Sequence, residues 1–102
     1  MSVEIPPRAQ ADIDIESEDL GQRYGQPTAE RFQDQLARLL SRLDALPTSA
    51  AEVDPPYPNH PGLRVAQVPR FPHQLVYYVP TPAGIRVVRV LHSSRDIDAI
   101  FG

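Results

Sequence analysis

The strongest periodic signal runs from Ala29 to Leu46. Ala29, Phe32, Leu36, Leu39, Leu40, Leu43 and Leu46 recur at intervals of three and four, with Arg31, Asp34, Gln35, Arg38, Arg42 and Asp44 between them. That spacing gathers the apolar side chains on one stripe of an α-helix. Pro27 suits the first turn of this helix, and Pro47 stops it. A weaker helix precedes it over Arg8 to Tyr24, with Ala9, Ile13, Leu20 and Tyr24 on helical spacing. Glu16 and Ser17 fall in the same stripe and leave it imperfect. Gly25 suits the C-cap, and so short a link predicts an antiparallel helical hairpin. Ahead of the hairpin, Val3 and Ile5 alternate with Ser2 and Glu4, a short strand closed by Pro6-Pro7.

The second half changes period. Residues 47–62 hold Pro47, Pro55, Pro56, Pro58, Pro61 and Gly62, and read as a long irregular surface crossover. Leu63, Val65 and Gln67 then alternate with Arg64, Ala66 and Val68, as in a strand. Pro69 and Pro72 place the start of the next strand near Gln74, with Leu75, Tyr77 and Val79 on one face and Val76 and Tyr78 on the other. Pro80-Thr81-Pro82-Ala83-Gly84 is a turn. The strand after it is apolar on both faces, which places it centrally. Asp96 to Phe101 suits a last helical turn. The order is β-α-α-β-β-β in a single domain over residues 1–102. It predicts an α+β fold, with the helical hairpin packed on one face of a small twisted antiparallel sheet and the other face partly open.

Composition narrows the classes. A chain of 102 residues that is 41% hydrophobic builds one core. With no cysteine, disulfides and thiolate metal sites are excluded, and a reducing, cytoplasmic setting is expected. The N-terminus shows no signal-peptide pattern, and the longest apolar run, Leu75 to Val79, is too short for a membrane span. The net charge is −3, and all ten basic residues are arginine. Residues 1–60 hold five arginines against eleven acids, whereas residues 61–102 hold five against Asp96 and Asp98. Overall acidity argues against avid direct nucleic-acid binding and leaves room for a local basic face in the second half.

Candidate chemistry concentrates where the last strand ends, at His92-Ser93-Ser94-Arg95-Asp96. Histidine moves protons and arginine stabilises charge, so this cluster fits a phosphate-handling site. It also fits, and better, a structural or partner-binding role, with Arg95 paired to Asp96 or another carboxylate and fixing the chain after the strand. Arg64, Arg70, Arg86 and Arg89 add positive charge to the sheet, either as a solvated face or as a groove for an acidic peptide. Simple alternation puts Arg89 with Ile85 and Val87, and Arg86 with Val88 and His92. His60, His73 and His92 match no metal-ligand spacing, so no metal is expected. No glycine-rich phosphate loop or nucleophile elbow is present, and no cofactor is implied.

Several segments together carry a resemblance: Pro7-Arg8-Ala9 with Ala11-Asp12-Ile13, Arg23-Tyr24-Gly25, Ala29-Glu30-Arg31-Phe32, Pro61-Gly62-Leu63-Arg64, Leu75-Val76-Tyr77-Tyr78-Val79 and Arg89-Val90-Leu91-His92-Ser93-Ser94-Arg95-Asp96-Ile97. In that order they resemble the RelE/ParE toxin superfamily over nearly the whole chain, most specifically in the closing Val-Leu-His-x-x-Arg-Asp run. The superfamily fold has the same element order. Family members usually carry apolar or aromatic residues near positions 16 and 17, and often glycine after His92, where this chain has Glu16, Ser17 and Ser93.

The resemblance implies the toxin half of a bacterial type II toxin–antitoxin pair of the kind associated with plasmid stabilisation. The C-terminal segment of a small antitoxin would run over the sheet and helical hairpin. RelE-like members cut messenger RNA on the ribosome, whereas ParE-like members inhibit DNA gyrase and carry no ribonuclease site. The chain looks more like the ParE branch, so a gyrase-binding, non-enzymatic toxin is expected. In the ribonuclease alternative His92 or His73 would be the acid/base, with Arg70, Arg89 or Arg95 on the phosphate. A third alternative is an inactive member that only binds a partner. Whichever reading holds, the partner-binding candidates are Arg64, Arg70, Arg86, Arg89, His92 and Arg95.

Overall fold

Pro7 opens the first helix at its N1 position, where a missing N–H costs nothing. The computed structural model describes residues 2–102. Its elements are β1 (Ser2–Glu4), α1 (Pro7–Tyr24), α2 (Gln26–Ala45), β2 (Arg64–Val68), β3 (Phe71–Thr81), β4 (Gly84–His92) and α3 (Ile97–Phe101). Only Gly25, at φ 94°, separates the two long helices. That left-handed turn suits a residue without a side chain. The α2 stripe is buried as its period predicts, from Ala29 through Leu43. Leu46 departs from it: it is the C-cap, outside the helix, and is 61% exposed. In α1, Ala9, Ile13 and Leu20 are buried, but Tyr24 at the helix end lies in solvent.

The sheet order is β1-β4-β3-β2. β4 is thus central, as its two apolar faces require. The sheet is antiparallel except at one edge, where β1 pairs parallel with β4, Val3 opposite Ile85. The expected antiparallel sheet is thus present, with β1 as its one parallel edge, since an edge strand reached through a helical hairpin need not follow the meander's alternation. Gly84 permits the arrangement, since a Cβ there would strike the Ser2 carbonyl and the Asp44 carboxylate.

β3 begins at Phe71, earlier than its prolines suggest. Phe71 pairs with Val68, and the next pair is Leu75 with Gln67. Pro72 therefore sits in a bulged stretch with no β2 partner to disappoint, and its carbonyl accepts from Gln67 Nε2 at 2.8 Å.

The face under the helices holds Phe32, Leu36, Leu39, Val76, Tyr78, Val87 and Val90. The opposite face is more covered than expected. Leu63, Tyr77, Leu91 and Phe101 form a second cluster there, flanked by Val53 and Tyr57 from the proline-rich segment. That segment is therefore part of the core, not only a surface crossover. The Tyr57 hydroxyl donates to Asp98 Oδ1 at 2.6 Å and so ties the segment to α3. Asp96 caps α3 by accepting from the Ala99 N–H.

Candidate functional site

A β-bulge decides which side chains the end of β4 presents. Tyr78 pairs with Val87, but Tyr77 pairs with Arg89, leaving Val88 as the extra residue. Alternation resets after it, so Arg89 does not share the face of Ile85 and Val87. His92 pairs with Gln74, whereas Arg86 pairs with Val79 on the other face. His92 thereby comes to the helix side of the sheet, away from Arg86.

There it borders a cleft of about 700 Å³ between α1, the start of α2 and the ends of β3 and β4. Leu20, Tyr24 and Phe71 supply apolar wall, and Glu16, Gln74 and His92 supply polar wall. Phe71 is fixed edge-on against Phe32 of α2, with ring centroids 5.6 Å apart. This contact anchors the β3 side of the cleft to the core.

The two expected imidazoles meet at this cleft. His73 and His92 stack with centroids 5.4 Å apart and 18° between planes. His73 Nδ1 lies 3.0 Å from Ser93 Oγ, and His92 Nδ1 lies 2.8 Å from Ser94 Oγ. The Ser94 N–H also donates to His92 Nδ1, at 3.0 Å. That bond makes Nδ1 an acceptor and puts the proton of the neutral ring on Nε2. Both rings are thus held by the turn that follows β4.

Glu16 faces this pair from α1. Burial pushes its carboxyl above the ordinary value of 4.5, an effect that nearby Asp19 reinforces. The Gln74 amide, His92 and Arg95 act the other way. Gln74 is 5% exposed, and its buried Oε1 has no hydrogen-bond partner among the described residues. Neither residue stood out as a site in the sequence. The available signal was Glu16 itself, a charge inside the apolar stripe of an amphipathic helix.

The expected arginines separate into three groups. Arg64 and Arg89 are structural. Arg64 donates to the carbonyls of Thr48 and Ala50 and to Glu52, and so fastens the proline-rich segment to β2. Arg89 forms a buried pair with Asp12. Arg86 makes a surface pair with Glu4 across the β1–β4 contact, at 3.0 Å. Arg70 and Arg95 are exposed and form no ion pair among the described residues. Arg70 lies at the cleft rim with φ at 69°, in the left-handed region that non-glycine residues rarely adopt. Arg95 does not pair with Asp96, whose carboxylate is occupied as the α3 cap. His60 packs against Phe101, away from the cleft. Among the described residues no group of three histidines or acids gathers to hold a metal, and no helix is long and apolar enough to cross a membrane.

The cleft can do two kinds of work. Paired imidazoles and a carboxylate are groups that transfer protons, and an arginine beside them stabilises charge. A partly apolar trough is one that seats a side chain of another molecule.

Comparison with known proteins places the fold. A solved chain of the chromosomal ParDE TA system from P. aeruginosa superimposes with a TM-score of 0.72 at 17% identity, covering 90% of this chain and 95% of that one. At that identity the likeness is one of fold. No curated protein matches significantly in sequence. The family described as the ParE toxin of the type II toxin-antitoxin system, parDE, matches residues 3–97. Nearly the whole chain is spanned, from β1 to the start of α3, and the chain belongs to the ParE toxin family of type II toxin–antitoxin systems.

Proposed function

We propose that this chain is a cytoplasmic toxin that binds and inhibits DNA gyrase without catalysing a reaction, and that a cognate antitoxin silences it. Family membership over residues 3–97 is the observation that carries this reading. The arrangement of the imidazoles agrees with it. Each histidine Nδ1 is engaged by a serine next to it in the β4 turn, so the pair braces the terminal segment. The excess of acids over arginines also weighs against a target rich in phosphate.

The antitoxin's C-terminal segment would run over the helical hairpin and the cleft beside it. The opposite face of the sheet offers less, being covered by the proline-rich segment and α3. Exposed Ile15 and Tyr24 on α1 give such a segment apolar surface to cover.

One observation favours a second reading. The His73–His92 stack, with Glu16 opposite and Arg70 at the rim, places proton-transfer and phosphate-binding groups at one cleft. A ribosome-dependent endoribonuclease would use those groups.

Expression in growing cells separates the readings. The chain alone should arrest growth, filament the cells and alter plasmid topology, and co-expression of an adjacent antitoxin gene should restore growth. Arrest with unchanged plasmid topology and rapid loss of translated messages would favour the nuclease. No arrest, with antitoxin binding intact, would mark an inactive binding member.

A further inference from the structure

The turn between β2 and β3 carries a residue that its backbone does not favour. Val68 pairs with Phe71, so Pro69-Arg70 is the whole loop, and Arg70 lies at φ 69°. A positive φ at the second residue of such a turn, after proline, is normally given to glycine or asparagine. Arginine holds the position at a cost in strain, and strain of this kind is retained where a side chain has work to do. The fold draws no ion pair from it: Arg70 is exposed and unpaired among the described residues.

Beside the turn, a recess of about 350 Å³ opens against α2, lined by Thr28, Arg31, Gln35, Arg70 and Phe71. Thr28 orients Arg31 there, its Oγ1 accepting from Nη2 at 2.9 Å. Arg31 is also exposed and forms no ion pair among the described residues, not even with Glu30 or Asp34 beside it on α2. Two guanidinium groups from separate elements thus line one recess, and no carboxylate lines it.

Two like charges at one recess disfavour a cation and are complementary to an anion. The planar fork of arginine matches a carboxylate with parallel donors. The positive line continues, since Arg38 and Arg42 follow Arg31 at intervals of seven and four on one side of α2. Neither forms an ion pair among the described residues. A nucleic-acid backbone would offer phosphates to the same groups, but the chain's net charge of −3 opposes a long polyanion. A short acidic segment of a protein is the better complement. The recess shares Thr28, Arg70 and Phe71 with the larger cleft. A segment lying over the cleft therefore reaches the recess without interruption.

We propose that Arg31 and Arg70 together seat an acidic side chain of the antitoxin, where its C-terminal segment passes from the cleft onto α2. This rests on the toxin reading above, and names the chemistry by which the partner is held.

Arg70→Gly separates this role from a structural one, because glycine suits the turn and removes only the charge. The variant alone should melt no lower than the parent. In the purified complex with the antitoxin encoded beside this chain, it should speed dissociation by about tenfold or more, the range for hydrogen bonds to a charged group. Arg31→Gln should act in the same direction. Both effects should disappear when the responsible antitoxin Asp or Glu is already alanine.

A lower melting temperature for Arg70→Gly would give the side chain a structural task and overturn the proposal. So would a tight complex indifferent to both variants and to every antitoxin acid, which leaves the toxin reading intact. Binding of a 12-nucleotide single-stranded DNA that Arg70→Gly abolishes, with the antitoxin complex unchanged, would overturn it in favour of phosphate. A chain that ignores the antitoxin altogether removes both this seat and the toxin reading.

Discussion

The Asp12 carboxylate holds Arg89 by two hydrogen bonds, 2.6 Å to Nε and 3.1 Å to Nη2, and accepts the Val90 N–H at 3.1 Å. It joins α1 to the stretch of β4 that lies beyond the three-residue pairing with β1. One side chain therefore satisfies both an arginine and a strand edge. Both partners are nearly closed to solvent, at 5% and 12% side-chain exposure.

Asp12→Ala should destabilise the fold by ~3–5 kcal/mol, because it leaves a buried guanidinium uncompensated. Arg89→Ala should cost a similar amount. Replacing both with apolar residues, Asp12→Leu with Arg89→Met, should recover much of the loss but not all, since the Val90 N–H stays unpaired at about 1–3 kcal/mol. Urea denaturation of the four proteins checks this. A double variant no more stable than Asp12→Ala would contradict it.

Leu39, on the α2 stripe, is 2% exposed beneath the sheet. Leu39→Ala should cost ~2–5 kcal/mol through lost burial and the cavity it leaves. An unchanged melting temperature would show that α2 does not pack as described.

Much of this fold was legible in the sequence because its signals are local. The α2 period, Gly25 between two helices and the two-faced apolar β4 each state their own role. What was not legible depends on contacts between distant residues. Asp12 reads as a polar position of α1 until β4 supplies Arg89. The Val88 bulge moves His92 to the helix side, and simple alternation carries no sign of it. Tyr57 reads as loop, yet it packs on Phe101 from the other end of the chain, with ring centroids 5.7 Å apart. Of the candidate site, His73, His92 and the rim Arg70 were foreseen. Glu16 read as a flaw in a helix, and Gln74 as an ordinary strand residue.

Glu16 should make stability depend on pH in an unusual direction. Its folded-state pKa lies above the ordinary 4.5 because burial disfavours the charged form. The favourable contribution is then fully present below about 4.5 and is lost as pH rises through the raised value. Glu16→Gln should therefore melt higher than the parent at neutral pH, with the difference vanishing in acid. Thermal scans across pH 3.5 to 7.5 read this directly. A variant that melts lower than the parent at neutral pH would reverse the assignment.

The side chains around the β4 turn separate binding from catalysis. His73→Ala and His92→Ala should retain most toxicity, whereas loss of an acid/base group would lower a catalysed rate by ~10²–10⁴-fold. Arg95→Ala should reduce toxicity, since its charge is exposed and unpaired among the described residues. Truncation after Leu91 is a poorer probe than the point variant, because it also removes Phe101 from the second core cluster. Growth assays with matched expression, and circular dichroism to confirm folding, compare the set.

The most direct measurement is DNA supercoiling by purified gyrase on relaxed plasmid with increasing amounts of this protein. Supercoiling should fall as the protein is added, equally for the parent and for His92→Ala, and should return when the antitoxin is supplied in equal amount. Full supercoiling at a large excess of folded protein, together with ribosome-dependent messenger cleavage that His92→Ala abolishes, would contradict the gyrase assignment and establish the nuclease.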